Sequence, residues 1–189
     1  MNKRLFIAFP LTSGLYPKIN NLEKEISKKL KINWIPLNNL HLTLIFLGYK
    51  KIDFIDKIVD ILKNTIFKNN EIFKSFNLIF SKVDYGPPGK KRMIWLYIKK
   101  NKHLEEIKNK LTDSLIENKI IFQAENREFV PHVNLARLKN YHSRFNKLPT
   151  IQKDLNWAVV FNKICLYESY LEKPFARYEE LFSFKLPSF

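Results

Sequence analysis

Apolar positions along the chain follow two alternating patterns. Dense short runs at 5–9 and 40–47, stopped by Pro10 and Gly48, have the length and composition of buried strands. Between them Ile19, Leu22, Ile26 and Leu30 recur every three or four residues. That spacing predicts an amphipathic helix over 16–31, with Pro17 in its first turn. The same stripe returns at Phe54, Ile55, Ile58, Ile61, Leu62 and Ile66, and again at Leu104, Ile107, Leu111 and Leu115. Further strands are predicted at 76–83 and 92–99, with Gly86-Pro87-Pro88-Gly89 as the turn between them. Three more are predicted at 128–135, 157–167 and 178–186, the last two antiparallel to each other. The polar stretch 139–154 has room for a short helix but shows no firm periodicity.

This order, with strands running together and helices interspersed, favours an α+β fold with antiparallel sheets over a doubly wound parallel one. A length of 189 residues suits one large domain or two small lobes sharing a core, and an apolar content of 46% supplies the interior. No composition shift marks a linker. The 4 glycines form no phosphate-cradling loop, which argues against a nucleotide-dependent activity.

Charge changes the picture only in part. The 33 Lys+Arg against 18 Asp+Glu leave a formal charge of +15, which attracts polyanions such as RNA. An AT-rich coding sequence, through its Lys, Asn and Ile codons, accounts for that excess equally well. The single cysteine, Cys165, lies in the apolar run Lys163-Ile164-Cys165-Leu166-Tyr167, where a buried small side chain is expected rather than a nucleophile. The first ten residues read as a strand, not a leader, and no stretch has the length to span a bilayer. A cytoplasmic protein without membrane partners is expected.

Two tetrads carry the chemistry. His41-Leu42-Thr43-Leu44 is followed ninety-one positions later by His132-Val133-Asn134-Leu135, both of the form His, apolar, polar, apolar. On a strand, alternate side chains share a face. His41 and Thr43 therefore point one way, away from Leu42 and Leu44, and His132 and Asn134 share a face in the same manner. One such tetrad is weak, because apolar residues fill about half of all positions. A pair, one in each half of the chain, suggests two similar strands meeting across a cleft. Opening a cyclic phosphate requires deprotonating water on one side and protonating the leaving alkoxide on the other, and two imidazoles can divide those tasks. Small hydrogen-bond donors beside them can hold the phosphate oxygens. Neither tetrad has the carboxylate or cysteine companions of a zinc site, so no metal or other cofactor is expected.

These residues sit in longer segments that resemble a known family. Arg4-Leu5-Phe6-Ile7-Ala8, Trp34-Ile35-Pro36, Asn39-Leu40 running into the first tetrad, and Phe46-Leu47-Gly48 carry the likeness through the first half. Trp95-Leu96, Phe129-Val130-Pro131 running into the second tetrad and on to Ala136-Arg137, Glu168-Ser169 and Ala176-Arg177-Tyr178 carry it through the second. Over nearly its whole length the chain resembles the two-histidine phosphoesterases. Within them it is most similar to the RNA 2′,3′-cyclic phosphodiesterases, also called 2′-5′ RNA ligases.

The resemblance implies a bilobal fold over 1–189, with two antiparallel sheets lining a central cleft and helices outside. It implies metal-independent opening of RNA 2′,3′-cyclic phosphates to 2′-phosphates. By position His41 becomes the acid and His132 the base, with Thr43, Asn134 and Arg137 on the phosphate. RNA ends, tRNA fragments among them, are the implied partners, acted on by a monomer.

Two positions depart from simple expectation. The family has Thr or Ser where this chain has Asn134, whose amide can donate but is longer and planar. Strict alternation from His132 sends Arg137 to the opposite face, so it reaches the phosphate only where the strand ends or bulges. An RNA-end-binding protein without turnover, and a phosphodiesterase for small cyclic nucleotides or 2′-5′ oligoadenylate, stay open as alternatives. Elsewhere, His103 and His142 are expected on the solvated surface. Lys90, Lys91 and Arg92 are either solvated charge or an RNA-backbone track, and Phe9 and Tyr85 are candidates to stack a terminal base.

Overall fold

Each apolar run folds into the element its period calls for, in a computed structural model that describes residues 1–123, 128–138 and 148–188. The first half comprises β1 (Asn2–Pro10), α1 (Tyr16–Ser27), β2 (His41–Lys51) and α2 (Phe54–Lys68). Then come β3 (Phe76–Gly86), β4 (Met93–Ile98), α3 (Lys102–Glu117) and β5 (His132–Arg137), and finally β6 (Lys153–Phe161), β7 (Lys163–Tyr170) and β8 (Arg177–Lys185). Local chemistry sets several ends. Asn101 caps α3, its side-chain oxygen accepting from the Leu104 amide at 2.9 Å. β2 runs on past Gly48, because a φ of +73° there absorbs an irregularity against β1.

The strands lie in the order β6-β3-β4-β5-β2-β1-β7-β8, and every ladder is antiparallel. The order reads as two groups of four. In each, the inner strand is the second of an antiparallel pair joined through a helix: β1-α1-β2 on one side, β4-α3-β5 on the other. The α+β class and the antiparallel pairing match expectation. The two expected sheets touch at one rung, Leu42 to Val133, and so form a continuous eight-stranded sheet.

The three described helices lie on one face of this sheet. Ile19, Leu22 and Ile26 of α1, Ile58 and Leu62 of α2 and Leu104 and Leu111 of α3 join one apolar cluster with Leu5, Ile7, Phe9, Leu42 and Val133 of the strands. Phe6, Ala8, Trp95, Tyr97 and Cys165 are buried too but stand outside that cluster, on the opposite face. A second, smaller and more aromatic layer therefore covers the face without helices.

Several expectations need correction. The run 157–167 is two strands, broken at Asn162, with β6 paired to β3 and β7 paired to β1 and β8. The polar pair Asn162-Lys163 interrupts the apolar run at the break and was its one local mark. β5 begins at His132, later than expected, since 128–131 run in without ladder pairing. Phe9 is fully buried in the core, on the same side as Leu5 and Ile7. Tyr85 is also in the core, its hydroxyl donating to the Pro149 carbonyl at 2.8 Å, so neither aromatic is placed to stack a base. His103 is half-buried, edge-on to Phe76 at 4.9 Å. His142 and most of 139–154 lie outside the described residues.

Candidate active site

Both tetrads open their strands: His41 is the first residue of β2 and His132 the first of β5. The rung between Leu42 and Val133 sets the register. Continued by one residue either way, antiparallel pairing puts His41 opposite Asn134 and Thr43 opposite His132. The histidines are then diagonal neighbours on one face, about 7–8 Å apart along the backbone and somewhat closer at Cβ by the ordinary spacing of such pairs. Each group of the first tetrad has its counterpart beside the other.

The likeness extends beyond the tetrads. From the histidine onward both strands show one burial sequence: part-buried, buried, part-buried, buried, buried, exposed. Alternation fails at the same place in each. Leu44 has no partner in the β1 ladder, which steps from Ile7–Ile45 to Ala8–Thr43. Leu135 likewise has none in the β4 ladder, which steps from Ile94–Ala136 to Trp95–Asn134. These are bulges, and each sends two consecutive side chains into the core before the next turns back. Arg137 therefore returns to the face of His132 and Asn134, and Phe46 holds the equivalent place on β2. His41, Thr43, His132, Asn134 and Arg137 all stand on the helix-free face.

The imidazoles are fixed alike. His41 Nδ1–H donates to the carbonyl of Asn39, and His132 Nδ1–H to that of Val130, both at 2.7 Å and both two residues back along the chain. A carbonyl only accepts, so Nδ1 carries a hydrogen in each ring, and Nε2 is the ring atom through which a proton can pass to or from a ligand. Burial pushes the His41 pKa down to about 4; the bond to Asn39 opposes the shift, and the charge of His132 adds to it. The rings are thus close enough to feel one another's charge, and two protonated imidazoles are disfavoured.

Aromatic residues frame the pair. Around His41 stand Phe6 at 4.8 Å, Tyr178 edge-on at 5.0 Å and Tyr167 at 6.3 Å. His132 lies against Trp95 at 3.5 Å, nearly parallel. Burial raises the Tyr178 pKa, and the positive charges of Arg137 and Arg4 pull the other way, which puts two guanidinium groups near its hydroxyl. Arg4 also donates to the Ser169 hydroxyl at 3.0 Å. Asn134 has its side-chain oxygen buried without a partner.

Sequence reasoning missed Trp95, Tyr178 and Phe6 as parts of this site, although all three lay in the segments of resemblance. The available signal was alternation: Trp95 and Tyr97 share the face opposite Ile94 and Leu96. Cys165 is buried as expected, and burial pushes its thiol up to about 12, so it is inert at neutral pH. Among the described residues no three His, Cys, Asp or Glu side chains gather as a metal site. Among them, too, no helix is long and apolar enough to cross a membrane.

Comparison with known proteins identifies the family and the fold. Residues 5–184 match the family model described as the AKAP7 2′5′ RNA ligase-like domain. A Bacillus subtilis protein named RNA 2′,3′-cyclic phosphodiesterase is 26% identical over 182 residues, covering 96% of this chain and 95% of its own. An Archaeoglobus fulgidus protein of the same name is 27% identical over 137 residues, 72% of this chain and 73% of its own. Among solved structures, TT0787 of Thermus thermophilus superposes with a TM-score of 0.78 at 19% identity, over 98% of both chains. E. coli LigT in apo form gives 0.73 at 22% identity, over 99% of both chains. These two likenesses speak for the fold.

Proposed function

The chain belongs to the AKAP7 2′5′ RNA ligase-like domain family, and from that membership we propose that it hydrolyses 2′,3′-cyclic phosphates at RNA ends to 2′-phosphates, without a metal, between His41 and His132. Curated relatives over most of its length are named for this activity. The observation that carries the reading is the matched pair of imidazoles, each locked through Nδ1 to a carbonyl and set beside a single rung.

The proton traffic balances. One Nε2 takes a proton from water as its oxygen bonds to phosphorus. The other Nε2 gives a proton to O3′ as the P–O3′ bond breaks, leaving a 2′-phosphate and a free 3′-hydroxyl. Thr43, the Asn134 amide nitrogen and Arg137 donate to the non-bridging oxygens, where charge builds in the transition state. The resemblance casts His41 as the acid, whereas burial and the neighbouring imidazole favour its neutral form. A bound phosphate anion reverses that balance by favouring imidazolium. In this reading His41 takes up its acid role beside the bound phosphate.

The substrates in this reading are RNA ends, those of tRNA fragments among them, met by a cytoplasmic monomer whose +15 charge speeds their encounter. The decisive experiment incubates the purified chain, with EDTA present, with an oligonucleotide ending in a 2′,3′-cyclic phosphate. A 2′-phosphate product is expected. Binding without product would overturn the enzymatic reading in favour of an RNA-end-binding protein.

A further inference from the structure

Trp95 lies flat on His132, with ring centroids 3.5 Å apart and planes 16° from parallel. The indole also lies directly against the backbone of Gly86. A Cβ at position 86 would overlap Trp95 Cδ2 and Cγ and stand 2.6 Å from Cε2, an arrangement in which the atoms cannot coexist. Gly48 and Gly89 have positive φ, but Gly86 does not, so its backbone conformation makes no demand for glycine. What position 86 requires is room for the indole.

The indole is held from other sides as well. Its Nε1–H donates to Met93 Sδ at 3.4 Å. Tyr97 packs beside it at 5.6 Å, and the Tyr97 hydroxyl donates to the Tyr85 carbonyl at 2.8 Å. Trp95 is only 7% exposed, so it is not a surface ring free to turn. The His132–Val130 bond fixes how the imidazole rotates within its own plane, and the stacked indole fixes the plane itself. Both are needed to aim Nε2. Among the described residues no ring stacks parallel on His41, where Phe6 is tilted by 35° at 4.8 Å and Tyr178 stands edge-on at 5.0 Å.

We propose that Trp95 is a positioning residue for His132, and that the missing side chain at Gly86 is what allows it to be one. The inference rests on His132 taking part in the reaction proposed above. Turnover should then depend on side-chain volume at position 86, which lies behind the indole and not against the phosphate.

The test compares Gly86→Ala, Trp95→Leu and Trp95→Phe in the full chain. It measures kcat and KM on an oligonucleotide with a 2′,3′-cyclic phosphate end, and the ring-proton resonances of His132 by NMR. Gly86→Ala and Trp95→Leu should lower kcat by about 10- to 100-fold with KM changed by no more than about twofold, the cost of misaiming a reacting group. Both should move the His132 resonances as the indole ring current is lost. Trp95→Phe, which keeps a flat ring, should recover most of kcat and restore the proton shifts in part. Folded Trp95→Leu protein with kcat within about twofold of the parent overturns the proposal, as does an unmoved His132 signal. If Gly86→Ala does not fold, the Leu and Phe variants at position 95 carry the same comparison. If the parent chain opens no cyclic phosphate at all, it is the proposed reaction that fails. The resonances then decide separately whether the indole sets the ring.

Discussion

Leu42 and Val133 form the single rung joining the two four-stranded groups, and each directly follows a histidine. The rung makes one site of two tetrads that are far apart in the chain. His41→Ala and His132→Ala should therefore each lower kcat by about 10²- to 10⁴-fold, the usual worth of a general acid or base. Both rings are part-buried on the face away from the main core. Circular dichroism and thermal melting should accordingly show both variants folded. A variant retaining more than about a tenth of the parent rate would remove that histidine from the mechanism.

Asn134 separates two kinds of donor. In the proposed reaction its amide nitrogen donates to phosphate, while its buried oxygen has no protein partner. Asn134→Asp keeps the shape but replaces the donor with a negative charge, and kcat/KM should fall by about 100-fold or more. Asn134→Thr supplies a hydroxyl and removes the orphaned acceptor. It should keep or raise the rate and add about 1 kcal/mol of stability in urea unfolding. Loss of activity in the Thr variant would show that the longer amide is required.

Arg137 should act on binding more than on proton transfer. Arg137→Ala is expected to raise KM about tenfold and to flatten the dependence of log(kcat/KM) on log[salt] by about one charge. A salt slope identical to that of the parent would place this guanidinium away from the phosphate.

Acid should destabilise the fold through His41. Its pKa of about 4 lies below the ordinary 6.5, so between these values the folded chain binds fewer protons than the unfolded one. Stability is then full above pH 6.5 and falls as pH drops toward 4, by on the order of 2–3 kcal/mol. Urea titrations at pH 7.5 and 4.5 should show a smaller loss in His41→Asn than in the parent. Equal losses would mean that solvent reaches the ring more freely than its burial suggests.

Glu23, on α1, should behave in the opposite sense. Desolvation raises its pKa to about 7, and one of its oxygens is buried without a partner. Since the folded-state value lies above the unfolded one, its contribution is lost as pH rises from about 4.5 to 7. Glu23→Gln should leave stability unchanged near pH 4.5 and raise it by about 1–3 kcal/mol at pH 8. A variant no more stable than its parent at pH 8 would show that the carboxylate finds a partner in solution.

Much of this architecture can be read from local pattern, because period and burial coincide. The stripes at Ile19–Ile26 and Leu104–Leu115 become α1 and α3, and alternation alone puts His41 with Thr43. What could not be read depends on partners distant in sequence. At 162 the polar pair Asn162-Lys163 is only a faint mark, and the break becomes plain once β3 and β1 take the two pieces separately. The placement of Arg137 was conditional on a bulge, and the bulge had a visible mark. Leu44-Ile45 and Leu135-Ala136 are adjacent apolar pairs at matching positions, interrupting both alternations equally. Phe9 was misjudged by chemistry where alternation had it right, falling in step with Leu5 and Ile7 in the core. The Trp95–Gly86 contact is beyond local reading, because it depends on a ring crossing between two strands.

Asn162 alone links β6, on the outer edge of one group, to β7 in the other, and its carbonyl accepts from the Leu186 amide at 2.7 Å. The adjoining Phe161 ring meets Phe9 of β1 at 5.5 Å and Phe76 of β3 at 6.4 Å. The two halves are thus fastened at several points, among them the Leu42–Val133 rung, the Asn162 link, the Ile35 amide on the Leu135 carbonyl at 2.8 Å and one shared apolar core. With anchors on both sides of the two imidazoles, their spacing belongs to the fold itself and does not wait on a ligand to set it.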